Sequence, residues 1–294
     1  MTVIVGFSAS RQGSAPLNLA AQLARSTGEK IVAAVIVERV PAARVSPIEE
    51  QFQNQVAVQA TKSLEQVIDP ISRNLDVSIV VHESSSIPAG LMELVDQHAA
   101  DMVVVGSSSS GLLGRVALGS VTDRLVHTAA VPVAIAPRGY PLSRTPVQRL
   151  TAAYGGAADA AGLIATTAEL ASRWSVRMRI ASFTVRAFAT FGGAVAYPAE
   201  DLVMQQWVHR TELAILTQLE SSVAAQVAPL PDAEVQVGVG TDWSQAVDSI
   251  GWEHGDILLL GSGAAGPVAQ VFLGTAASKI LRHAPVPVMI MPSR

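Results

Sequence analysis

Short apolar runs alternate with stretches of helical spacing along the whole chain. Thr2–Val5 is an unbroken β-branched run, the pattern of a strand buried on both faces. Leu17 to Arg25 places apolar residues at helical spacing, Ile31 to Val37 is a second strand, Pro47 to Asn74 carries a long helical pattern, and Val77 to Val81 predicts a third strand. Pro88 opens a helix running to about Ala99, at a position where its missing N–H does no harm. Met102–Val105 predicts a fourth strand. A loop of small residues, a helix from about Ser120 to Thr128 and a last strand ending at Ala136 follow it.

The order then repeats. Leu150–Ala153, Arg177 to Phe183, Val235–Val239 and Ile257–Leu260 read as strands, with helices over Asp159 to Arg173, Glu200 to Gln226 and Ser244–Trp252. The fourth strand and its loop carry the duplication most clearly. Asp101 to Gly106 (DMVVVG) matches Asp256 to Gly261 (DILLLG). Gly106 and Gly261, Gly119 and Gly274, and Pro132 and Pro287 each stand 155 residues apart. Both halves close alike, on Val131–Ala136 and Val286–Met291, each followed by a proline. Between the halves, Pro137 to Pro146 is rich in Pro and Gly, has no periodicity, and reads as a linker with its boundary near residue 142. The predicted domains are residues 1–141 and 147–294. Strands alternating with helices imply right-handed crossovers and a parallel sheet covered on both faces.

A chain of 294 residues suits two domains, each of roughly 100–150 residues. Hydrophobic residues make up 49% and charged residues 15%, so core material is ample. The net charge of −4 and the lack of a Lys/Arg tract argue against nucleic acid as a partner. Without cysteine there is no thiol nucleophile, no thiolate metal site and no need of an oxidising compartment. The apolar runs fall far short of the roughly 20 residues that span a membrane. The amino terminus leads directly into a strand, with no basic region ahead of a long apolar stretch. The expectation is a soluble, cytoplasmic protein with no membrane partner.

In such sheets, ligands sit beyond the carboxyl ends of the strands at the switch in strand order. The loop after each fourth strand fits that place. Its small residues let backbone N–H groups approach phosphate oxygens, and the helix opening at Gly119-Ser120 or Gly274-Thr275 adds a favourable dipole and a hydroxyl. A tight structural turn explains small residues equally well. Residues 261–266 match G-x-G-x-x-G, but they follow the fourth strand rather than the first, and the counterpart at 106–111 lacks the middle glycine. No G-x-x-x-x-G-K-[ST] loop occurs.

The element order, this loop, the Gly-Ser or Gly-Thr that opens the last helix, and the closing Pro-Val-x-Ile-x-Pro strands resemble the universal stress protein family, twice over nearly the whole chain. The resemblance implies an α/β fold of two tandem five-stranded parallel-sheet domains. Each would have strand order 3-2-1-4-5 and be doubly wound with helices on both faces, as in adenine-nucleotide alpha hydrolase-like proteins. It implies that the two final strands associate, giving an intramolecular pseudo-dimer. It also implies ATP, held by G-x2-G-x9-G-[ST] and an aspartate just after strand one. Carried over to the first half, the nucleotide site is Gly6, Phe7, Ser8 and Ile36, with Val105, Gly106, Ser109, Gly119, Ser120 and Val121. In the second half it is Gly155, Leu260, Gly261, Ala264, Gly274 and Thr275. The pattern is incomplete in both. Ser109 and Ala264 replace the second glycine, and Ser8 and Gly155 stand where the aspartate would face the sugar and metal. Serine lacks the hard anionic oxygen that Mg²⁺ prefers, so Mg²⁺ is not expected. Ser109 and the surrounding Ser107, Ser108 and Ser110 offer the first half substitute hydroxyl donors, which makes it the better candidate.

Outside the loops, the six histidines are scattered with no zinc-clamp spacing, and His98 and His254 are expected near the ends of corresponding helices. His82-Glu83-Ser84 is expected after the third strand, where it could line a site, yet no G-x-S-x-G elbow supports hydrolysis. Trp174, Trp207, Trp243 and Trp252 read as core or interface anchors. An edge as apolar as the closing strands is expected to pair within the chain. The sequence therefore favours a non-catalytic, nucleotide-sensing stress-response protein. A slow ATPase or other hydrolase using the first loop, and a ligand-free interaction scaffold, are the alternatives. A homodimer and an unidentified protein partner are left open.

Overall fold

The computed structural model describes residues 2–8, 13–39, 47–72, 74–155, 160–185, 205–217, 233–264, 271–272 and 274–292. In the first half, β1 (Thr2–Gly6), α1 (Ala15–Thr27), β2 (Lys30–Glu38), α2 (Pro47–Ile68), β3 (Val77–Ser84), α3 (Ile87–Gln97), β4 (Met102–Gly106), α4 (Ser120–Thr128) and β5 (Val133–Ala136) follow one another. The second half brings β6 (Arg149–Ala153), α5 (Ala160–Trp174), β7 (Arg177–Val185), a helix α6 across residues 205–217, β8 (Ala233–Gly240), α7 (Trp243–Asp248) and β9 (Asp256–Gly261). A two-residue hairpin pair, β10 (Gly263–Ala264) and β11 (Val271–Phe272), then precedes α8 (Thr275–His283) and β12 (Val288–Met291).

The ten long strands form one sheet in the order β3-β2-β1-β4-β5-β12-β9-β6-β7-β8. Read inward from either edge, each half has the order 3-2-1-4-5, and all its pairs are parallel. The halves join antiparallel at their closing strands, with Val288 opposite Ile135, Met289 opposite Ala134 and Ile290 opposite Val133. All eight residues of these two strands are buried, so pairing covers an edge that would otherwise be apolar and open. One core lies against α1, α2, α5 and α6, and the other against α3, α4, α7 and α8; each runs through both halves.

Several boundaries differ from the pattern reading, for local reasons. The closing strands begin at Val133 and Val288 because Pro132 and Pro287 have no N–H to give a ladder. Helix α2 stops at Ile68 rather than Asn74, since Pro70 lacks a donor and disfavours helix at Asp69. Strand β3 continues to Ser84 because β2 pairs with it as far as Glu38, which puts His82-Glu83-Ser84 inside the strand, not after it. Helix α7 ends at Asp248, short of Trp252, so His254 caps no helix, whereas His98 does follow α3. Residues 200–204 and 218–226 of the long predicted helix lie outside the described residues.

The linker is a strap. Along one stripe of α1, the Asn18 amide donates to Tyr140 O at 2.9 Å, Gln22 Nε2 to Thr145 O at 3.3 Å and Arg25 Nη1 to Ser143 O at 2.7 Å, while Ser26 Oγ accepts from Val147 N at 2.7 Å. The Tyr140 hydroxyl donates to Gln22 Oε1 at 2.5 Å, and its pKa is pushed up to about 12, first by burial and then by Asp256.

The second half also holds a charged centre that the first lacks. Strand pairing makes Thr151 and Arg179 the counterparts of Ile4 and Val32. Arg149 and Arg179 converge on Asp256, which is fully buried: Arg149 donates from Nε at 3.0 Å and Nη2 at 2.6 Å, and Arg179 Nη2 lies at 3.5 Å. Arg179 also donates to Ile250 O, Gly251 O and Thr151 Oγ1, and sits 4.6 Å from the centre of the Trp252 ring. These carbonyls turn to the guanidinium instead of continuing a helix, which explains the early end of α7. Burial, and then the Arg149 charge, lower the Arg179 pKa to about 10. Burial also works against the Arg149 charge, but its bonds and attraction to Asp256 outweigh this and raise its pKa.

Candidate functional site

The carboxyl ends of β1 and β4, the loop after β4 and the start of α4 form the rim where the resemblance places a ligand. Gly119 precedes the first turn of α4 at φ −96° and ψ 171°, an extended conformation open to any residue. A Cβ there would meet nothing closer than Ser108 Cβ at 3.6 Å, an ordinary contact. Neither backbone nor packing therefore demands glycine. What its lack of a side chain does is leave the amino end of α4 uncapped, with the Ser120 hydroxyl on an exposed residue beside it. Gly274 repeats the arrangement before α8, at φ −57° with no side-chain cap, and a Cβ on it would meet no atom within 4 Å. Uncapped amino ends of this kind attract anions through free N–H groups and the helix dipole.

The serines before α4 are used unevenly. Ser107 Oγ accepts from Ala117 N at 2.7 Å and donates to Ala117 O at 3.2 Å, so it closes the loop on itself. Ser108 and Ser110 share a hydroxyl bond of 2.8 Å. The compensation expected of these three is thus spent largely within the loop. Ser109 is different: with Gly106, Ser107 and Arg138 it lines a cavity of 240 Å³. Arg138 was not among the predicted site residues. It stands two residues beyond β5 and donates to Gly111 O at 2.8 Å, and its signal in the sequence was a lone cation just past the carboxyl end of a closing strand. The offset of 155 brings Arg138 to Ser293, so the sequence of the second half has an uncharged residue at that position.

The remaining predicted residues separate into rim and core. Gly6 ends β1 opposite Ala34, and Phe7 N donates to Ala34 O at 2.9 Å. Ser8 follows on the same rim. Ile36 lies in β2 with its side chain beneath α3, since a Cβ on Gly90 would stand 2.8 Å from its Cγ2. Val105 and Leu260 are buried beneath the loops and Val121 packs against the same core, so all three support the rim without lining the cavity. In the second half Gly261 ends β9, Thr275 opens α8, and Ala264 is paired with Val271 in the small hairpin. Gly155 is exposed on the rim, with nothing within 4 Å of a Cβ. The first loop therefore offers a fit for phosphate oxygens, while the metal side lacks a carboxylate at Ser8 and Gly155. Among the described residues there is no group of three or more His, Asp or Glu side chains that could hold a metal.

The polar group on β3 is not a hydrolytic triad. Glu93 of α3 sits between the other two, accepting from Ser84 Oγ at 3.0 Å and lying 2.6 Å from His82 Nε2. The serine is thus held by a carboxylate rather than by the imidazole that would have to take its proton. Those same bonds, from His82 and then Ser84, hold the Glu93 pKa below its ordinary value. Trp174 is buried, Trp243 and Trp252 pack on the core, and Trp207 is exposed on α6.

One side chain of the first loop reaches the other half. Arg115 makes a two-pronged pair with Asp248 at 2.8 and 2.9 Å and donates to His283 O, which joins the loop to the carboxyl ends of α7 and α8.

The sequence profile of the Universal stress protein family matches residues 1–137 and again residues 147–292. The chain belongs to the universal stress protein family, as a member with two such domains in tandem. It is 33% identical to Universal stress protein Rv2319c of Mycobacterium tuberculosis over 99% of this chain and 100% of that one. Universal stress protein Mb2346c of Mycobacterium bovis matches to the same extent. A crystal structure of a universal stress protein from Archaeoglobus fulgidus shares the fold with a TM-score of 0.61 at 14% identity, covering 99% of this chain and 96% of that one. One from Pseudomonas aeruginosa gives a TM-score of 0.55 at 12% identity, covering 99% and 92%. Among the described residues, no helix is long and apolar enough to cross a membrane.

Proposed function

We propose that this chain is a stress-response protein that binds an adenine nucleotide such as ATP in its first domain and does not turn it over. The observation that carries this reading is Gly119, a glycine required by neither backbone nor packing, which keeps the amino end of α4 open near the small cavity that Ser109 and Arg138 line. Ser109 and Arg138 on that cavity supply a hydroxyl and a positive charge for phosphate oxygens. The first domain is favoured because the second has Ser293 in place of Arg138 and Ala264 tied into a hairpin. Lack of turnover rests on chemistry: Ser8 and Gly155 offer no carboxylate oxygen to Mg²⁺, and the His82–Glu93–Ser84 order provides no activated nucleophile. The ligand's role is then to bias the shape or partners of the paired domains.

The test is calorimetric titration of the full chain with ATP, with and without Mg²⁺, followed by a phosphate-release assay. Saturable binding that is indifferent to Mg²⁺, with no release, supports the proposal. Absence of heat at millimolar nucleotide would favour an interaction scaffold, and sustained release an ATPase.

A further inference from the structure

A groove runs from the first loop to the linker strap, beside the cradle on α4. Two cavities meet there, and both are lined by Ala15 and Gly139. The smaller is the one just described, which carries Ser109 and Arg138, and neither cavity is lined by Gly119 or Ser120. The larger encloses 660 Å³, within the roughly 300–1,000 Å³ common for small-molecule sites. Its walls are apolar: Val67, Pro70 and Ile71 after and at the end of α2 face Tyr140, Pro141 and Leu142 of the strap. Tyr140 turns its hydroxyl away onto Gln22, so what it offers the groove is ring carbon. The polar side chains of this wall, Ser14 and Asn18, bond to each other at 3.3 Å, and Asn18 is further held by Tyr140 O. Among the described residues, little is left there to recognise a base or a sugar.

The two ends therefore ask for different chemistry. At the polar end, the Arg138 guanidinium is one formal positive charge with one of its donors on Gly111 O, and Ser109 stands beside it. The amino end of α1 points the same way, and Ser14 does not close it with its side chain. We propose that this groove binds a small amphipathic acid, with its anionic head at Arg138 and Ser109 and its apolar body between α2 and the strap. The site shares Gly106, Ser109 and Arg138 with the nucleotide reading but does not depend on it.

The experiment titrates the full chain with a dansyl-labelled undecanoic acid and with its methyl ester, read by fluorescence, with ATP titrated in parallel. The acid is expected to bind saturably, and the uncharged ester about tenfold more weakly. Arg138→Met is expected to weaken the acid by about tenfold while leaving the ester unchanged, and Arg138→Lys to restore most of the loss. Val67→Asp, at a partly exposed position, weakens both probes without disturbing the fold, as circular dichroism checks. Absence of saturable acid binding, or an acid affinity untouched by Arg138→Met, overturns the proposal. A chain that binds the acid but not ATP supports this site and refutes the nucleotide reading alone; one that binds ATP but not the acid does the reverse.

Discussion

Neutralising Asp256 isolates the charged centre of the second domain. In the parent its carboxylate accepts from Arg149 Nε and Nη2 at 3.0 and 2.6 Å and from Glu253 N at 3.0 Å, with Arg179 Nη2 at 3.5 Å. Asp256→Asn leaves two buried guanidinium groups facing each other. The remaining carboxylates, Glu234 at 3.4 Å and Glu253 at 3.9 Å from Arg149, are 45% and 57% exposed and compensate poorly. Breaking a buried pair in this way costs about 3–5 kcal/mol, which lowers the Tm by about 10 °C in a domain of this size. The excess positive charge is the cause, so removing one arginine must relieve it. Asp256→Asn with Arg179→Met is expected to be more stable than Asp256→Asn alone, with a coupling of about 1 kcal/mol or more, even though the carbonyl of Ile250 loses its donor. Urea unfolding of the four proteins in the cycle measures this. A double variant less stable than Asp256→Asn, or a single Asp256→Asn within 1 kcal/mol of the parent (about the error of such comparisons), would refute the reasoning.

Three further predictions test other parts of the fold. Burial first, and then the nearby Asp101 carboxylate, raise the Glu29 pKa above its ordinary 4.5, and its Oε2 has no partner; a raised acid keeps its stability below that ordinary value and loses it as pH climbs through the folded value. Glu29→Gln should therefore raise the Tm at neutral pH and lose this advantage in acid, and a gain that is the same at both pH values contradicts the assignment. Gly238→Ala should disrupt the second domain, because its Cβ would lie 2.3 Å from Ala246 O, whereas Gly155→Asp should melt with the parent because nothing lies within 4 Å; equal melting of the two variants would be the opposing result. Arg115→Met removes a pair whose side chains are 25% and 43% exposed, so the cost is only about 1 kcal/mol; hydrogen exchange should quicken at the ends of α7 and α8 while β5 and β12 stay protected.

The fold was legible because strands buried on both faces leave unbroken apolar runs, and because the fixed offset between Gly106 and Gly261 exposed the duplication. Even the pairing of the closing strands followed from Val131–Ala136 and Val286–Met291, where no polar residue interrupts either face. The charged centre was hidden by the same rule. Arg177 and Arg179 alternate with Met178 and Ile180, which reads as one wet face of a strand, yet the turn carrying Ile250 and Gly251 covers Arg179 completely. The strap was equally hidden, since its order comes from Asn18, Gln22, Arg25 and Ser26 on a helix more than a hundred residues earlier. At the cradle, the glycine pattern singled out Gly106, Ser109 and Gly119, but spacing cannot tell that the Ser107 hydroxyl is bonded within its own loop. Only the folded chain separates Ser109 from Ser107, and only folding brings Arg138 alongside.

Gly119 is the residue on which the nucleotide site depends most directly. Gly119→Val places a branched side chain over the amino end of α4 in a backbone conformation that valine adopts freely, and its Cβ makes only an ordinary contact with Ser108. Calorimetry of the parent with ATP is predicted to show one site per chain, in EDTA as in Mg²⁺. Gly119→Val is predicted to melt normally and to lose at least tenfold in affinity, about 1.4 kcal/mol. Undiminished ATP binding by a folded Gly119→Val protein would contradict the placement of the ligand on α4.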